Sequence, residues 1–276
     1  MPAATSAVQQ VAASASPPPP TPGHGAWRWH VGSLGVLAAL LGLWWAATHS
    51  GLVSRVFVPT PEAAWASLVE GLTEGELAAF TAATVQRMLL GWGLACVIGV
   101  ALGVWVGLSE TARAWVQPTL EFIRPLPASA VMPLAISIFG LSGGMVLAVV
   151  AFGAMWPVLL GTVHGLAAVH VRLREVSQAL QLSKAAYVLK IGLPNALPDI
   201  LAGARLAMTV ALIVAVVGEM IASQPGLGQA ILLAARAFRA SELFAGIALL
   251  GAIGFVSNAL LAWGQRRLMP WQPQPH

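Results

Sequence analysis

The feature that most constrains this chain is a long stretch without charge. Between Pro125 and Val171 the sequence contains no Asp, Glu, Lys or Arg. Such a stretch is typical of a chain whose solvent is lipid, because about 20 apolar helical residues cross the ~30 Å hydrocarbon core of a bilayer. The composition agrees, since 58% of the 276 residues are hydrophobic and only 9% are charged. We therefore predict an all-α integral membrane protein.

The charge-free runs predict six transmembrane helices. Gly140, Gly143 and Gly144 interrupt the longest run and divide it into two spans, since a single helix of that length would exceed the bilayer. The predicted spans cover residues 31–48, 88–109, 118–139, 144–164, 197–222 and 243–264.

The other segments are predicted to be tails and connections. Residues 1–25 contain no Lys or Arg and end in a proline-rich run, which predicts a disordered tail rather than a secretory signal. Residues 26–54 then hold the first span, 55–83 an amphipathic segment at the outer surface, 84–268 the core and 269–276 a second tail. If both termini are cytoplasmic, ten Lys and Arg residues lie inside and four outside, which together make the 14 present. Cationic residues prefer inner loops, so we predict this orientation in a bacterial-type inner membrane.

One cytoplasmic connection, residues 170–196, has a helical pattern of its own. Apolar residues recur at helical spacing on both sides of residues 181–183, which predicts two short helices joined by a turn. Ser183 is expected to cap the second helix. Pro194 is expected to end it, because the residue before a proline is disfavoured in the α region. The pattern alone fits either an interfacial linker or a docking surface.

The same loop resembles the EAA loop of ABC importer permeases. In this sequence Val176 and Ser177 replace the motif's alanines, and Gln181 replaces its glycine. Glycine would adopt a positive φ without steric cost, so the turn at Gln181 is expected to be built differently or to be strained. The residues that stand at the motif's spacing are Glu175, Gln181, Ile191, Leu193 and Pro194.

Further segments are similar to the nitrate/sulfonate/taurine/bicarbonate branch of these permeases. The resemblance covers roughly residues 55–268. It implies the type I ABC importer permease fold, with two permease copies, in a homodimer, around a central path. It also implies a cytoplasmic ABC ATPase that binds the ATP and an extracytoplasmic solute-binding protein. The segments that carry it are residues 84–92, 123–127, 133–134, 217–223, 226–228 and 244–247.

In that family the loop docks on the ATPase as a coupling helix. The resemblance therefore implies an ATPase-docking set of Glu175, Leu180, Gln181, Ile191, Leu193 and Pro194. For Glu175 the alternative is a solvated partner of Arg172 or Arg174 at helical spacing.

A few residues inside the predicted membrane core have candidate roles. Glu219, with Met220 beside it, is a candidate for the translocation path, because a charge in the bilayer is expected to face a partner, the bundle interior or water. The alternative for Glu219 is a structural pair with Arg87. The third set, Gly99, Gly103 and Gly107, repeats every four residues and predicts close helix packing.

Other classes of protein fit the sequence less well. The segment 140–143 matches the GxSG pattern of an intramembrane serine protease, but the last span contains no histidine to act as its base. A secondary transporter or channel is the other alternative, and neither an internal repeat nor several buried charges support it. The P-loop pattern needs a glycine directly before its lysine, and neither Lys184 nor Lys190 follows a glycine. ATP is therefore expected to bind to a separate polypeptide. No catalytic, cofactor or metal site and no nucleic-acid surface is predicted, and the residues do not identify the solute.

Overall fold

The computed structural model describes residues 26–51 and 53–269, and within them every regular element is helical. The predicted N-terminal tail, and all but the first residue of the predicted C-terminal tail, lie outside these residues. The described chain divides after Val53 into two compact units. The first unit contains α1, Ala26–His49.

The second unit contains the remaining helices. In chain order they are α2 Pro61–Thr73, α3 Leu77–Leu108, α4 Glu110–Ile123, α5 Ala128–Phe139, α6 Gly143–Ala167, α7 Val171–Ala179, α8 Lys184–Tyr187, α9 Leu193–Ala222, α10 Leu227–Arg236 and α11 Ala240–Leu268.

Five of the described segments are long and apolar enough to cross a bilayer. They contain α1, α3, α6, α9 and α11, so the first, second, fourth, fifth and sixth predicted spans are confirmed as long apolar helices. The shorter apolar helices are α5 and α10. The sequence did not predict α10, whose ten residues follow directly on the fifth span.

The predicted third span, residues 118–139, is wrong as a single helix. The chain leaves helical geometry between α4 and α5, over residues 124–127. Pro125 and Pro127 lack the backbone N–H that a continuous helix needs, and Pro127 itself is extended, with φ −60° and ψ 131°. The absence of charge after Arg124 hid this break from an analysis based on hydropathy.

The predicted amphipathic segment, residues 55–83, is divided between two helices. The first is α2, which is capped by Thr60, whose Oγ1 accepts a hydrogen bond from the Ala63 N–H at 3.3 Å. This helix packs on α11. The second is α3, which begins at Leu77, well before the predicted start of the second span at residue 88. We predicted that the span begins after Arg87. The helix instead continues through Arg87, because this charge is paired with Glu219.

The centre of the second unit is formed by α3, α6 and α9, which approach closely through small residues. A Cβ on Gly203 of α9 would lie 3.0 Å from the Pro157 carbonyl carbon of α6, and one on Gly165 of α6 would lie 2.6 Å from the Ala196 Cα of α9. Backbones this close exclude larger side chains, and dispersion contacts between them stabilise helix pairs in lipid.

The predicted packing glycines lie on the face of α3 toward α6. A Cβ on Gly99 would lie 2.8 Å from the Val158 Cβ, and one on Gly103 would lie against Thr162. A Cβ on Gly107 would lie 2.9 Å from Leu166 Cδ1.

The loop 170–196 contains two short helices, as predicted, and the cap at Ser183 is confirmed. Its Oγ accepts a hydrogen bond from the Ala186 N–H at 3.2 Å. The prediction that Pro194 ends the second helix is wrong, because α8 continues through a π turn, Val188–Gly192, into α9. Pro194 lies in the first turn of α9. The π turn places the Leu193 N–H on the Val188 carbonyl, and this wider bonding lets the chain pass the proline.

Candidate functional site

The exposed face of α7 and of the segment after it is the first candidate site. Val176, Leu180 and Leu189 are 51%, 67% and 67% exposed, although they are large and apolar. We call this face, together with the exposed Glu175, the loop surface. Exposed apolar side chains beside a charge are typical of a surface that another protein covers, and also of a helix that lies at the lipid interface.

Glu175 makes no ion pair or hydrogen bond through its side chain with the residues that the structure describes. Arg174, one of its two predicted partners, instead donates to the carbonyls of Leu166 and Ala167 at 3.3 and 3.1 Å. A cation in this position stabilises the C-terminus of α6, where carbonyls lack helical partners. The carboxylate of Glu175 is therefore available to a binding partner.

The turn after α7 keeps the geometry that a glycine would adopt. Gln181 has φ +49°, in the left-handed region. The Leu182 N–H donates to the Ser177 carbonyl at 3.0 Å, five residues back, as in the Schellman ending of a helix. The turn was expected either to be built differently or to be strained, and its left-handed Gln181 agrees with the strained turn.

The other predicted docking residues differ in exposure. Leu180, Gln181 and Pro194 are exposed, whereas Ile191 and Leu193 are half-buried. The end of the loop is also attached to α6, because Asn195 Nδ2 donates to the Gly165 carbonyl at 3.3 Å. With Arg174 at its start, the loop is bonded to α6 at both ends and is continuous with α9. A force on the loop surface would thus be transmitted directly to two central helices.

A second candidate site is a buried polar cluster at the end of α9. Glu219 is fully buried. Its carboxylate accepts hydrogen bonds from Arg87 Nη1 at 2.7 Å, Thr84 Oγ1 at 2.9 Å and the Gly228 N–H at 3.0 Å. We call Thr84, Arg87, Glu219 and the backbone of residues 225–228 the polar node. It joins α3, α9 and α10, and the structural pair between Glu219 and Arg87 is present.

The polar node satisfies its buried groups with several further bonds. Arg87 Nη1 also donates to the Pro225 carbonyl at 2.7 Å, and the Leu227 N–H donates to Thr84 Oγ1 at 2.9 Å. A Cβ on Gly226 would overlap the carboxylate of Glu219, so only glycine fits at this position without displacing that carboxylate. Sequence reasoning missed Thr84 and Gly228, although the Gly226-Leu227-Gly228 segment was a signal of close backbone approach. Met220, the other predicted path residue, is half-buried.

A third feature, which the sequence did not predict, is a cavity of about 620 Å³ between α5, α6 and α9. Most of its walls are apolar, and Arg124 and Ser129 are the polar residues at the end of the cavity near the break before α5. The apolar lining includes Met132, Trp156, Leu160, Leu206 and Ile213.

Comparison with known proteins identifies relatives of this architecture. The family described as binding-protein-dependent transport system inner membrane component matches residues 97–272. The chain is 30% identical over 251 residues to a Bacillus subtilis protein named as an aliphatic sulfonates transport permease, SsuC, with 91% of each chain covered. It is 32% identical over 256 residues to the taurine transport system permease protein TauC of Escherichia coli, with 89% of this chain and 93% of TauC covered.

Among solved structures, the chain is similar to one from the MetNI methionine ABC transporter in inward-facing conformations. The TM-score is 0.57 at 20% identity, and the match covers 70% of this chain and 94% of that one. This likeness concerns the fold, and it confirms the predicted importer-permease architecture.

Proposed function

The chain belongs to the family of binding-protein-dependent transport system inner membrane components, and from this premise we propose that it is the permease subunit of an ATP-driven importer of a small anion. Within that proposal the chain forms the path across the membrane and hydrolyses nothing itself. The names of SsuC and TauC support a sulfonate-like solute. Which anion is carried is left to the outer binding protein.

The observation that carries the proposal is the loop surface. It combines the exposed apolar side chains of Val176, Leu180 and Leu189 with Glu175, whose carboxylate has no partner among the described residues. We propose that an ABC ATPase covers this surface and binds the ATP. Closure of two such ATPases would then move two copies of the loop, and its attachments to α6 and α9 would transmit the motion to the path. In this arrangement both termini lie in the cytoplasm and the polar node lies toward the outer face.

The proposed docking set is the one that the family motif implies. Leu180 and Gln181 lie at the exposed turn after α7, where a partner can reach them. Ile191 and Leu193 are half-buried, so their proposed part is to hold the π turn in position rather than to make the principal contact. Pro194 is exposed at the start of α9.

The test is association with the ATPase in lipid. We would purify the chain with its candidate ATPase, reconstitute both in nanodiscs, and compare wild type with Glu175→Arg. The matched control is Glu70→Arg, which makes the same change at an exposed position of α2. We expect Glu175→Arg to release the ATPase and Glu70→Arg to retain it.

The result also separates the importer from the secondary transporter or channel. If no ATPase binds the wild-type chain, and an ion or solute gradient alone drives flux, the importer proposal fails. If the ATPase binds equally to both variants, the ATPase coupling stands but its assignment to Glu175 does not.

A further inference from the structure

The helix α5 begins beside the middle of α6, a helix long enough to cross a bilayer. It has 12 residues, or about 18 Å at 1.5 Å per residue, which is little more than half of the ~30 Å hydrocarbon core. Its first residue fixes its depth, because a Cβ on Gly153 would lie 2.9 Å from the Cβ of Ala128. Gly153 is near the middle of α6, a helix that crosses the whole bundle. The break before α5 therefore lies beside the middle of α6 rather than at either of its ends, which in a spanning α6 corresponds to the interior of the bilayer.

The N-terminus of α5 is not satisfied by a cap. The N-cap residue is Pro127, which has no side-chain oxygen, and no side chain among the described residues bonds to this helix end. The Ala130 N–H donates to the Pro127 carbonyl at 2.9 Å, which leaves the N–H groups of Ala128 and Ser129. Its first N–H groups carry the positive end of the helix dipole, which favours an anion. Half-helices that begin at mid-membrane present such ends to anionic groups in other transport proteins.

Arg124 adds a full positive charge at the same place. It lies in the break, lines the cavity between α5, α6 and α9, and makes no hydrogen bond or ion pair with the side chains or backbone that the structure describes. A guanidinium inside a membrane is costly unless it faces water or a partner, and it suits oxyanions because its N–H groups form a planar fork. Ser129, exposed in the first turn of α5, contributes a hydroxyl to the same end of the cavity.

Trp156 is a further residue beside this cavity. This residue lines the same cavity and is 7% exposed. Its indole Nε1–H is buried and has no hydrogen-bond partner among the described residues. This nitrogen is closed to a water-sized probe, so a molecule in the cavity could pair with it only after the Trp156 side chain turned.

We propose that this cavity is a binding site for an oxyanion on the translocation path, with Arg124, Ser129 and the N-terminus of α5 as its polar end. The apolar walls, among them Met132, Leu206 and Ile213, would receive the non-polar part of the same molecule. The inference rests on the proposed function and deepens it, since it assigns a substrate class to particular residues. The same chemistry could be supplied by the phosphate of an anionic lipid, so the experiment must separate the two sources.

Charge-selective labelling tests the site without the ATPase. Cys96 is the single cysteine, so Cys96→Ala gives a background in which Ser129→Cys carries one thiol in the full chain. In nanodiscs of phosphatidylcholine we would compare the labelling rates of an anionic, sulfonate-bearing and a cationic, trimethylammonium-bearing methanethiosulfonate. The ratio of the two rates reports the local potential, because a change in thiol reactivity affects both reagents alike.

We expect the anionic reagent to be preferred at this position, and Arg124→Gln to lower the ratio of rates about tenfold, as expected for one charge about 6 Å away in water. Ser137→Cys is the matched control. It is exposed on the same helix, eight residues or about 12 Å further along, beyond the reach of a screened charge. Its ratio should not respond to Arg124→Gln. If the ratio at position 129 is also indifferent to Arg124→Gln, the anion site is refuted.

Protection identifies the source of the anion. Methanesulfonate is the probe, and chloride at the same ionic strength is the control. We expect methanesulfonate to slow labelling of the thiol at position 129 by a neutral methanethiosulfonate, and Arg124→Gln to abolish this protection. Protection by added phosphatidylglycerol with none by methanesulfonate would assign the site to lipid and overturn a place on the path. Either failure leaves the association test with Glu175→Arg unaffected, so the two proposals can fail separately.

Discussion

The pair of Arg87 and Glu219 allows a prediction in which two substitutions at one contact have unequal costs. Removing Arg87 leaves the carboxylate of Glu219 fully buried, with only Thr84 and the Gly228 N–H as donors. Breaking a buried pair in this way costs about 3–5 kcal/mol, because the remaining charge has no counter-ion. We therefore expect Arg87→Met to destabilise the folded chain by that amount.

The reverse substitution should cost less. Arg87 is 19% exposed and also donates to the Pro225 carbonyl, so it keeps a partner and a route to solvent when the carboxylate is removed. Glu219→Gln preserves the shape and one acceptor oxygen, and we expect a loss of about 1–3 kcal/mol, the usual cost of an imperfectly satisfied buried group. In the double variant the two losses should not add, because the second substitution removes the charge that the first left unpaired.

The measurement is reversible unfolding of the full chain in mixed micelles, with denaturing detergent as the variable and both single variants and the double variant compared. A coupling of about 1–3 kcal/mol between the two positions, with Arg87→Met the costlier single change, supports a structural pair. Equal and additive losses would refute the reasoning. A folded, equally stable Glu219→Gln that no longer transports would instead support the predicted path role of Glu219.

Three further predictions concern local geometry. Gln181→Gly should stabilise the chain by about 0.5–1 kcal/mol in the same unfolding assay. It removes about 1–2 kcal/mol of left-handed strain, and part of this gain is lost because glycine raises the entropy of the unfolded chain. A loss of stability would contradict the strained turn. Gly203→Ala should cost on the order of 3 kcal/mol, as overpacking of a buried site does, because the new Cβ would overlap the Pro157 carbonyl. Gly93→Ala is the control, since its Cβ would meet nothing within 4 Å, and it should be neutral or slightly stabilising. Trp92→Phe should cost about 1 kcal/mol, because its indole N–H donates to a carbonyl of α9 at 2.8 Å, and an unchanged midpoint would count against that bond.

Much of the fold could be predicted because lipid imposes a simple rule on the chain. Apolar runs of about 20 residues have to be helical where water is absent, so α1, α3, α6, α9 and α11 follow from hydropathy alone. The cap at Ser183 could also be predicted, since the hydroxyl bonds within its own turn. Two errors at prolines arose from one cause. A proline permits several outcomes. The helix is interrupted at Pro125 and Pro127, whereas at Pro194 a π turn lets the helix continue.

The candidate sites divide in the same way. Only part of the loop surface was predicted, because Glu175 and Leu180 belong to the docking set that the family resemblance implies, whereas Val176 and Leu189 do not. The polar node could be predicted only in part, as a pairing alternative for Glu219, because Thr84 and Gly228 come from other helices.

The sequence alone thus determined the class of protein, the five long apolar helices and the family motif of the loop, since each depends on residues near one another in the chain. Only the tertiary structure decided that Glu219 is paired rather than free, and that Arg124 stands with Trp156 at one cavity. These features depend on the depth at which α5 begins and on how closely α3, α6 and α9 approach. Such distances arise from packing between segments far apart in the chain, which no local pattern of residues records.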